Sequence, residues 1–206
     1  MTFYDEQECF WASTFGDEYT DRNNETIIAN KVCFFEKVFQ KITVNSAFEI
    51  GCNRGLNLIA LNNINKNLIL NGIEINEKAF NIIKQKNICT NLYNDSFFNF
   101  DVTSDKYDIV FTKGVLIHIN PERLGLFYDK MYHLSNRYIL IAEYYSKTPQ
   151  EVEYRGNSEK LFKRDFCSEI MNRHKNLKLI DYGFIYHKDP SYPLDDITWF
   201  LLEKID

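Results

Sequence analysis

The run Phe48-Glu49-Ile50-Gly51-Cys52-Asn53-Arg54-Gly55 holds residue types that a nucleotide-like ligand asks of a strand-to-helix turn. Glycine at 51 and 55 lets the backbone bend sharply and lets a ligand approach with no Cβ in the way. Glu74 ends the next predicted strand, 23 residues past Gly51. At that spacing a carboxylate accepts hydrogen bonds from two ribose hydroxyls. A dinucleotide turn would read G-x-G-x-x-G. This one reads E-x-G-x-x-x-G and suits a ligand with no pyrophosphate to cradle. Gly51 and Gly55 could also be a plain turn, and Glu74 a surface acid; glycines, acid and βα alternation in register weaken both readings. His118 follows the fourth predicted strand at the ligand end of the sheet. It is either a base for a hydroxyl or a structural histidine bonded to a nearby loop.

These residues need elements to position them. Asn24 to Ile42 reads as a helix, with Ile27, Ile28, Val32, Phe35, Val38, Phe39 and Ile42 at three-and-four spacing and Asn24 as its cap. Strands are predicted at Ser46–Ile50, Leu68–Ile75, Asn91–Tyr93, Tyr107–Thr112, Tyr138–Tyr145, Leu177–Tyr186 and Ile197–Glu203. Helices are predicted from Leu56 to Leu61, after the capping Asn76 through Ile83, and from Asn120-Pro121-Glu122 to about Leu134. Phe162, Phe166 and Ile170 sit four apart on a later helix. The alternation predicts an α/β domain with a mostly parallel sheet and crossover helices.

Composition bounds the function. The 206 residues predict one domain. With 45% hydrophobic, 16% aromatic and 26% charged residues the chain is not disordered. A net charge of −5 argues against a general nucleic-acid or membrane-surface binder. Cys9, Cys33, Cys52, Cys89 and Cys167 form no C-x-x-C clip, and the histidines supply no zinc spacing, so free thiols and no metal are expected. The chain opens without a basic-then-apolar leader and has no membrane-length apolar run; the cytoplasm is the predicted location.

Glu49 to Gly55 resembles the first motif of the class I S-adenosylmethionine-dependent methyltransferases. Ile73-Glu74-Ile75 resembles their second, Asn94-Asp95-Ser96 the acid-bearing turn after the third strand, and Tyr107 to Ile119 the fourth-strand motif. The last two strands resemble the family's terminal antiparallel addition. Trp11 to Asn23, Phe111 to Pro121, Ala142 to Tyr145, Tyr154-Arg155-Gly156, Leu161 to Phe166 and Asp195 to Phe200 look like the bacterial methylases associated with pseudaminic acid biosynthesis. The resemblance implies a Rossmann-like domain over residues 1–206, with a seven-stranded sheet, an antiparallel last strand and helices on both faces. Residues 1–23 would form an N-terminal lid and 146–165 a substrate-side insertion. The cofactor implied is S-adenosyl-L-methionine. Glu49, Gly51, Cys52, Asn53 and Gly55 would approach its methionine part. Glu74 and Ile75 would hold the ribose, Asp95 the adenine amino group, and Ser96 and Phe97 the ring. Lys113 and Gly114 would lie under the methionine moiety.

Methyl transfer is an in-line displacement, so the protein must hold an acceptor in line and exclude water. For a hydroxyl acceptor His118 is the candidate base, with His187, Tyr144 and Tyr145 as weaker acceptor-side candidates. Trp11, Phe15, Tyr19 and Arg22 recur at helical spacing. They read as an aromatic face packed on the domain or as a lid over the cofactor, with Trp11 and Tyr19 touching it and Arg22 meeting its methionine carboxylate or an acidic acceptor. Between Lys147 and Lys175 the charge is net +2. Arg155, Lys163 and Arg164 there could bind an acceptor anion or be a solvated face. The acceptor expected is a small anionic sugar or surface-glycan precursor, methylated on oxygen. A non-catalytic cofactor-binding module is the alternative, and the missing glycines argue against a dinucleotide oxidoreductase.

Overall fold

The computed structural model describes residues 5–103 and 105–205. Residues 1–4 of the predicted lid, and 104 and 206 of the predicted domain, lie outside them. The first five strands run parallel: β1 (Ser46–Ile50), β2 (Ile69–Ile73), β3 (Asn91–Tyr93), β4 (Tyr107–Lys113) and β5 (Ser135–Glu143). Helices α4 (Leu56–Ile64), α5 (Glu77–Lys86) and α6 (Leu124–Leu134) return the chain between them. After α7 (Phe166–Arg173), β8 (Leu177–Ile185) turns back into β9 (Ile197–Lys204), which runs antiparallel between β5 and β8. The order is β3-β2-β1-β4-β5-β9-β8. This is the expected mostly parallel seven-stranded sheet with an antiparallel last strand.

Strand β5 shows why the sheet lies in the middle. Tyr138, Leu140 and Ala142 face one apolar layer, with Phe34, Phe35 and Val38 of α3 (Ile28–Phe39) and Leu58 and Leu61 of α4. Ile139 and Ile141 face the other, with Phe127 and Met131 of α6 and Phe166 and Ile170 of α7. A strand buried on both faces needs a nearly continuous apolar run, and each such side chain stabilises the fold by about 1.5–3 kcal/mol. At the foot of the sheet Asp108 Oδ2 accepts from the amides of Asn45 (2.7 Å) and Ser46 (3.2 Å), which pins β4 against the start of β1.

Three expectations change. The predicted helix over 24–42 opens with a 3-10 turn, Glu25–Ile27, capped by Asn24 Oδ1 accepting from the Thr26 amide at 3.0 Å. The aromatic N-terminal segment is two helices, α1 (Glu6–Ala12) and α2 (Thr14–Arg22), because Ser13 between them is extended. Phe162 is not helical. It lies in a hairpin of β6 (Gln150–Tyr154) and β7 (Asn157–Lys163), and α7 starts only after Asp165, whose Oδ1 accepts from the Ser168 amide at 2.9 Å. Arg155 and Gly156 make the hairpin turn, with φ of 51° and 79°. Two positive φ values in a two-residue loop give the turn whose twist matches paired strands.

Gly55 precedes α4 with φ +78°, and a Cβ there would stand 2.0 Å from Ile83 Cδ1 in the core. Gly55→Ala is expected to cost on the order of 3 kcal/mol, from the left-handed backbone and the overpacking together. Chemical denaturation checks this; a loss under about 0.5 kcal/mol would reject that packing.

Candidate active site

At the carboxyl ends of the parallel strands lies a cavity of about 470 Å³, where open α/β sheets bind their ligands. Its floor is the turn after β1. Gly51 has φ +69° and Asn53 φ +45°, so the turn bends through left-handed backbone. Glu74, just past β2, is buried, and its carboxylate accepts from the Asn53 amide at 2.6 Å and the Asn76 amide at 2.8 Å. Burial pushes its pKa up, and these backbone N–H groups pull it back. A carboxylate oxygen can accept more than one hydrogen bond, so the acid keeps acceptor capacity toward the cavity that it lines.

Beside the turn, Glu49 Oε1 accepts from Asn57 Nδ2 at 2.5 Å, and Asn57 Oδ1 accepts from Lys31 Nζ at 2.7 Å. All three are buried and line the cavity. Desolvation raises the Glu49 pKa and lowers those of Lys31 and Lys113. Glu49 Oε2 has no hydrogen-bond partner among the described residues. Lys31 and Asn57 were not foreseen. Lys31 lies on the helix that buries Phe34, Phe35 and Val38, and its spacing alone does not separate a cavity lysine from a solvated one.

The wall across from the glycine turn is built after β4. Gly114 has φ +72°, and a Cβ there would meet nothing within 4 Å. Glu143, the last residue of β5, accepts from the amides of Val115 (3.1 Å), Leu116 (3.2 Å) and Ile117 (3.5 Å). Burial brings its pKa up to about 7. The 3-10 turn Leu116–His118 held in this way carries His118 into the cavity wall. His118 Nδ1 lies 2.6 Å from the Lys160 carbonyl oxygen. A carbonyl can only accept, so Nδ1 carries the proton and Nε2 keeps its lone pair. Burial holds the His118 pKa down at about 4, so the ring is neutral at pH 7.

The N-terminal helices and the hairpin close the cavity. Trp11 lies against His118 with ring centroids 4.4 Å apart, and Tyr154 is 5.0 Å from His118. Glu6 pairs with Lys160 at 2.8 Å, and Gln7 donates to the Glu159 carbonyl at 3.2 Å, tying α1 to β7. Glu8 accepts from the Ser96 hydroxyl and pairs with Arg123 at 2.9 Å, tying α1 to the turn after β3 and to the start of α6. Helix α2 is fastened through Asn53 Nδ2, which donates to Thr20 Oγ1 at 3.1 Å. Asn76 Nδ2 donates to Asp17 at 2.8 Å.

The structure brings most of the predicted residues together. Glu49, Gly51, Cys52, Asn53, Glu74, Ile75, Asp95, Ser96, Phe97, Lys113, Gly114, His118, Trp11, Tyr19, Arg22, Tyr144 and Arg155 line the cavity. Asp95 Oδ1 accepts from the Ser96 amide at 2.7 Å and from Asn99 at 2.8 Å. Gly55 sits behind the turn rather than on its ligand face. Four acceptor-side candidates are placed away from the cavity lining. His187 is exposed and pairs with Asp196 at 3.0 Å. Tyr145 is exposed, its ring 6.0 Å from Phe200. Arg164 pairs with Glu169 at 2.7 Å. The Lys163 ammonium stands 5.5 Å from the Tyr144 ring centroid.

No family model matches the chain, and neither does any curated protein. Solved structures do. A magnesium protoporphyrin IX methyltransferase from Synechocystis with bound SAM superposes with a TM-score of 0.68 over 100% of both chains at 13% identity. A 1,6-didemethyltoxoflavin-N1-methyltransferase from Burkholderia thailandensis, with S-adenosylhomocysteine, gives 0.72 at 11% identity over 97% of this chain and 87% of its own. A plantazolicin methyltransferase with SAH gives 0.64 at 15% identity over 93% and 90%. The chain has the S-adenosylmethionine-dependent methyltransferase fold. In that fold Gly51 and Glu74 stand at the ends of β1 and β2, where the sheet opens. Among the described residues no helix is long and apolar enough to cross a membrane.

The depressed His118 pKa carries a stability signature. A histidine titrates near 6.5 when unfolded and at about 4 here. The unfolded chain therefore binds more protons between those values. The stability is full above the upper value, falls as pH drops through the window and levels off below the lower one. Between pH 6.5 and 5 the wild type should lose on the order of 2 kcal/mol more than His118→Gln. Urea unfolding at the two pH values measures this, and parallel curves would reject the buried neutral ring.

Proposed function

We propose that the protein is an S-adenosylmethionine-dependent methyltransferase that methylates a hydroxyl of a small anionic acceptor. The observation that carries the reading is the Glu74-held glycine turn opposite a buried, neutral His118 in one cavity of the methyltransferase fold. The residues present fit the cofactor. Gly114 leaves open space where any other residue would put a Cβ, and Glu49 Oε2 is a buried acceptor without a partner among the described residues. When bound, the cofactor supplies an activated methyl group on a sulfonium. Gly51 to Asn53 and Gly114 would bind its methionine part, with Lys31, Glu49 and Lys113 around them. Glu74 would hold the ribose hydroxyls, with Asp95, Ser96 and Phe97 at the adenine.

His118 Nε2 would take the proton of the acceptor hydroxyl, with Nδ1 kept on the Lys160 carbonyl so that the ring cannot turn. Helices α1 and α2 would exclude water during transfer. Tyr144, Tyr154 and Trp11 would wall the acceptor. The resemblance of Trp11–Asn23 and of Asp195–Phe200 to the pseudaminic acid-associated methylases supports a sugar or surface-glycan precursor as the acceptor, in the cytoplasm, with neither nucleic acid nor membrane as partner.

Calorimetry with S-adenosylmethionine should show a single site. Glu74→Ala should weaken binding about tenfold or more, the loss of a charged hydrogen bond. Gly114→Ala should lose affinity while costing about 1–2 kcal/mol of stability, since only its backbone is strained. Unchanged affinity in both variants would sink the assignment. Because the His118 pKa is depressed, kcat should stay flat from pH 8 to 6 and fall only below that. An acid limb centred near 6.5, or full activity in His118→Ala, would remove His118 as the base.

A further inference from the structure

We propose that the β6–β7 hairpin is the acceptor-reading arm of the site, with Arg155 at its tip binding an oxyanion of the acceptor. The inference rests on the methyltransferase reading above and narrows its anionic acceptor to one contact. Three of the seven basic residues of the Lys147–Lys175 stretch are paired with acids within the fold. Lys160 pairs with Glu6, Arg164 with Glu169 and Arg173 with Asp129. Lys163 lies over the Tyr144 ring, outside the cavity lining. Of the cations inside the cavity lining, Lys31 is engaged by Asn57, Arg54 by the carbonyls of Thr20 and Asn23, and Arg22 by Glu18 at 3.8 Å. Lys113, at the end of β4, stands on the side of the cavity proposed for the methionine part of the cofactor. Arg155 lines the same cavity with no ion pair to its guanidinium among the described residues, and with Tyr154 beside it.

The backbone at this tip points the same way. Arg155 occupies the first loop position of the hairpin at φ 51°, which asparagine and glycine adopt readily and a long side chain does not. Backbone strain at the mouth of a cavity is of the kind that a functional side chain can justify. A guanidinium reads a carboxylate or a phosphate through two parallel hydrogen bonds. The hairpin then joins two tasks. Its tip would hold the acceptor's anionic group, and its return strand offers the Lys160 carbonyl that fixes the protonated nitrogen of His118. The Tyr154 ring lies 5.0 Å from the His118 ring and 5.9 Å from the Arg155 guanidinium carbon, so it neighbours both.

The test separates charge from turn geometry. A small-molecule extract of cells that make the protein is split on an anion-exchange resin into neutral and anionic pools. Each pool is given to the full chain with S-adenosylmethionine labelled in the methyl group. The wild type should label the anionic pool. Arg155→Asn should lower that initial rate tenfold or more and Arg155→Lys by less. In Arg155→Asn the affinity for S-adenosylmethionine should stay within twofold and the thermal midpoint should hold or rise, because asparagine relaxes the turn. Treatment of the pool with phosphatase and a nucleotide pyrophosphatase together divides the sources: lost labelling identifies a phosphate, kept labelling a carboxylate. Wild-type rates in Arg155→Asn, equal losses of rate and cofactor affinity, or labelling of the neutral pool alone would overturn the assignment. A wild-type chain that neither binds S-adenosylmethionine nor labels either pool would overturn the methyltransferase reading itself.

Discussion

The buried carboxylate of Glu74 holds two turns at once, and the rest of the site is built on those turns. Its oxygens take the amides of Asn53 and Asn76. The side chains of these two asparagines then reach upward: Asn53 to Thr20, and Asn76 to Asp17 and the Trp11 carbonyl. Asn76 Oδ1 also caps α5 through the Ala79 amide at 2.9 Å. One acid therefore fixes the floor of the cavity and, one step removed, the helices over it. A buried carboxylate with too few donors would be costly. This one is offset by backbone N–H groups that the tight turns leave without partners in the sheet or the helices.

The second organising feature is that the covering elements hold each other. Helix α1 sends Glu6 and Gln7 to the hairpin and Glu8 to Ser96 and Arg123. Asp5 joins the Arg123 guanidinium at 3.1 Å. That guanidinium rests on the Phe98 ring, 3.4 Å from its centroid. Largely buried and mutually hydrogen-bonded, the two Arg123 pairs are screened less than surface salt bridges. Displacing α1 would therefore break contacts at the turn after β3 and at the hairpin together, so the two ends of the cavity are mechanically linked.

The sheet was legible because its signals are local. Strands β1 and β3 match their expected bounds, and the glycine turn and Glu74 fall where spacing put them. The misreadings have physical causes. Strand β7 buries Lys160 and Leu161 side by side, so it lacks the alternation that marks a half-buried strand, and Phe162 fell in register with the helix after it. The basic stretch read as a patch because its partners are remote: Glu6 lies 154 positions from Lys160, and Asp129 lies 44 from Arg173. Local charge counting cannot see those acids. Lys31 escaped for a related reason. Its partner Asn57 is on another helix, and only the fold brings them to one wall.

The polarity of the cavity bears on which acceptor atom reacts. His118 is held neutral with its lone pair on Nε2, so it can take a proton without first losing one. In the proposed transfer the proton passed to His118 makes an imidazolium, so the positive charge of the methyl donor moves to the ring as the methyl group leaves, and the burial that lowers the His118 pKa limits how far that proton transfer can run ahead of the methyl transfer. The same dry setting disfavours a protonated amine, whose positive charge would face the donor's. Burial that depresses His118 and the lysines nearby thus weighs against any further cation in the cavity. An anionic group on the proposed acceptor would instead be met at the exposed mouth, where the hairpin tip stands and desolvation costs least.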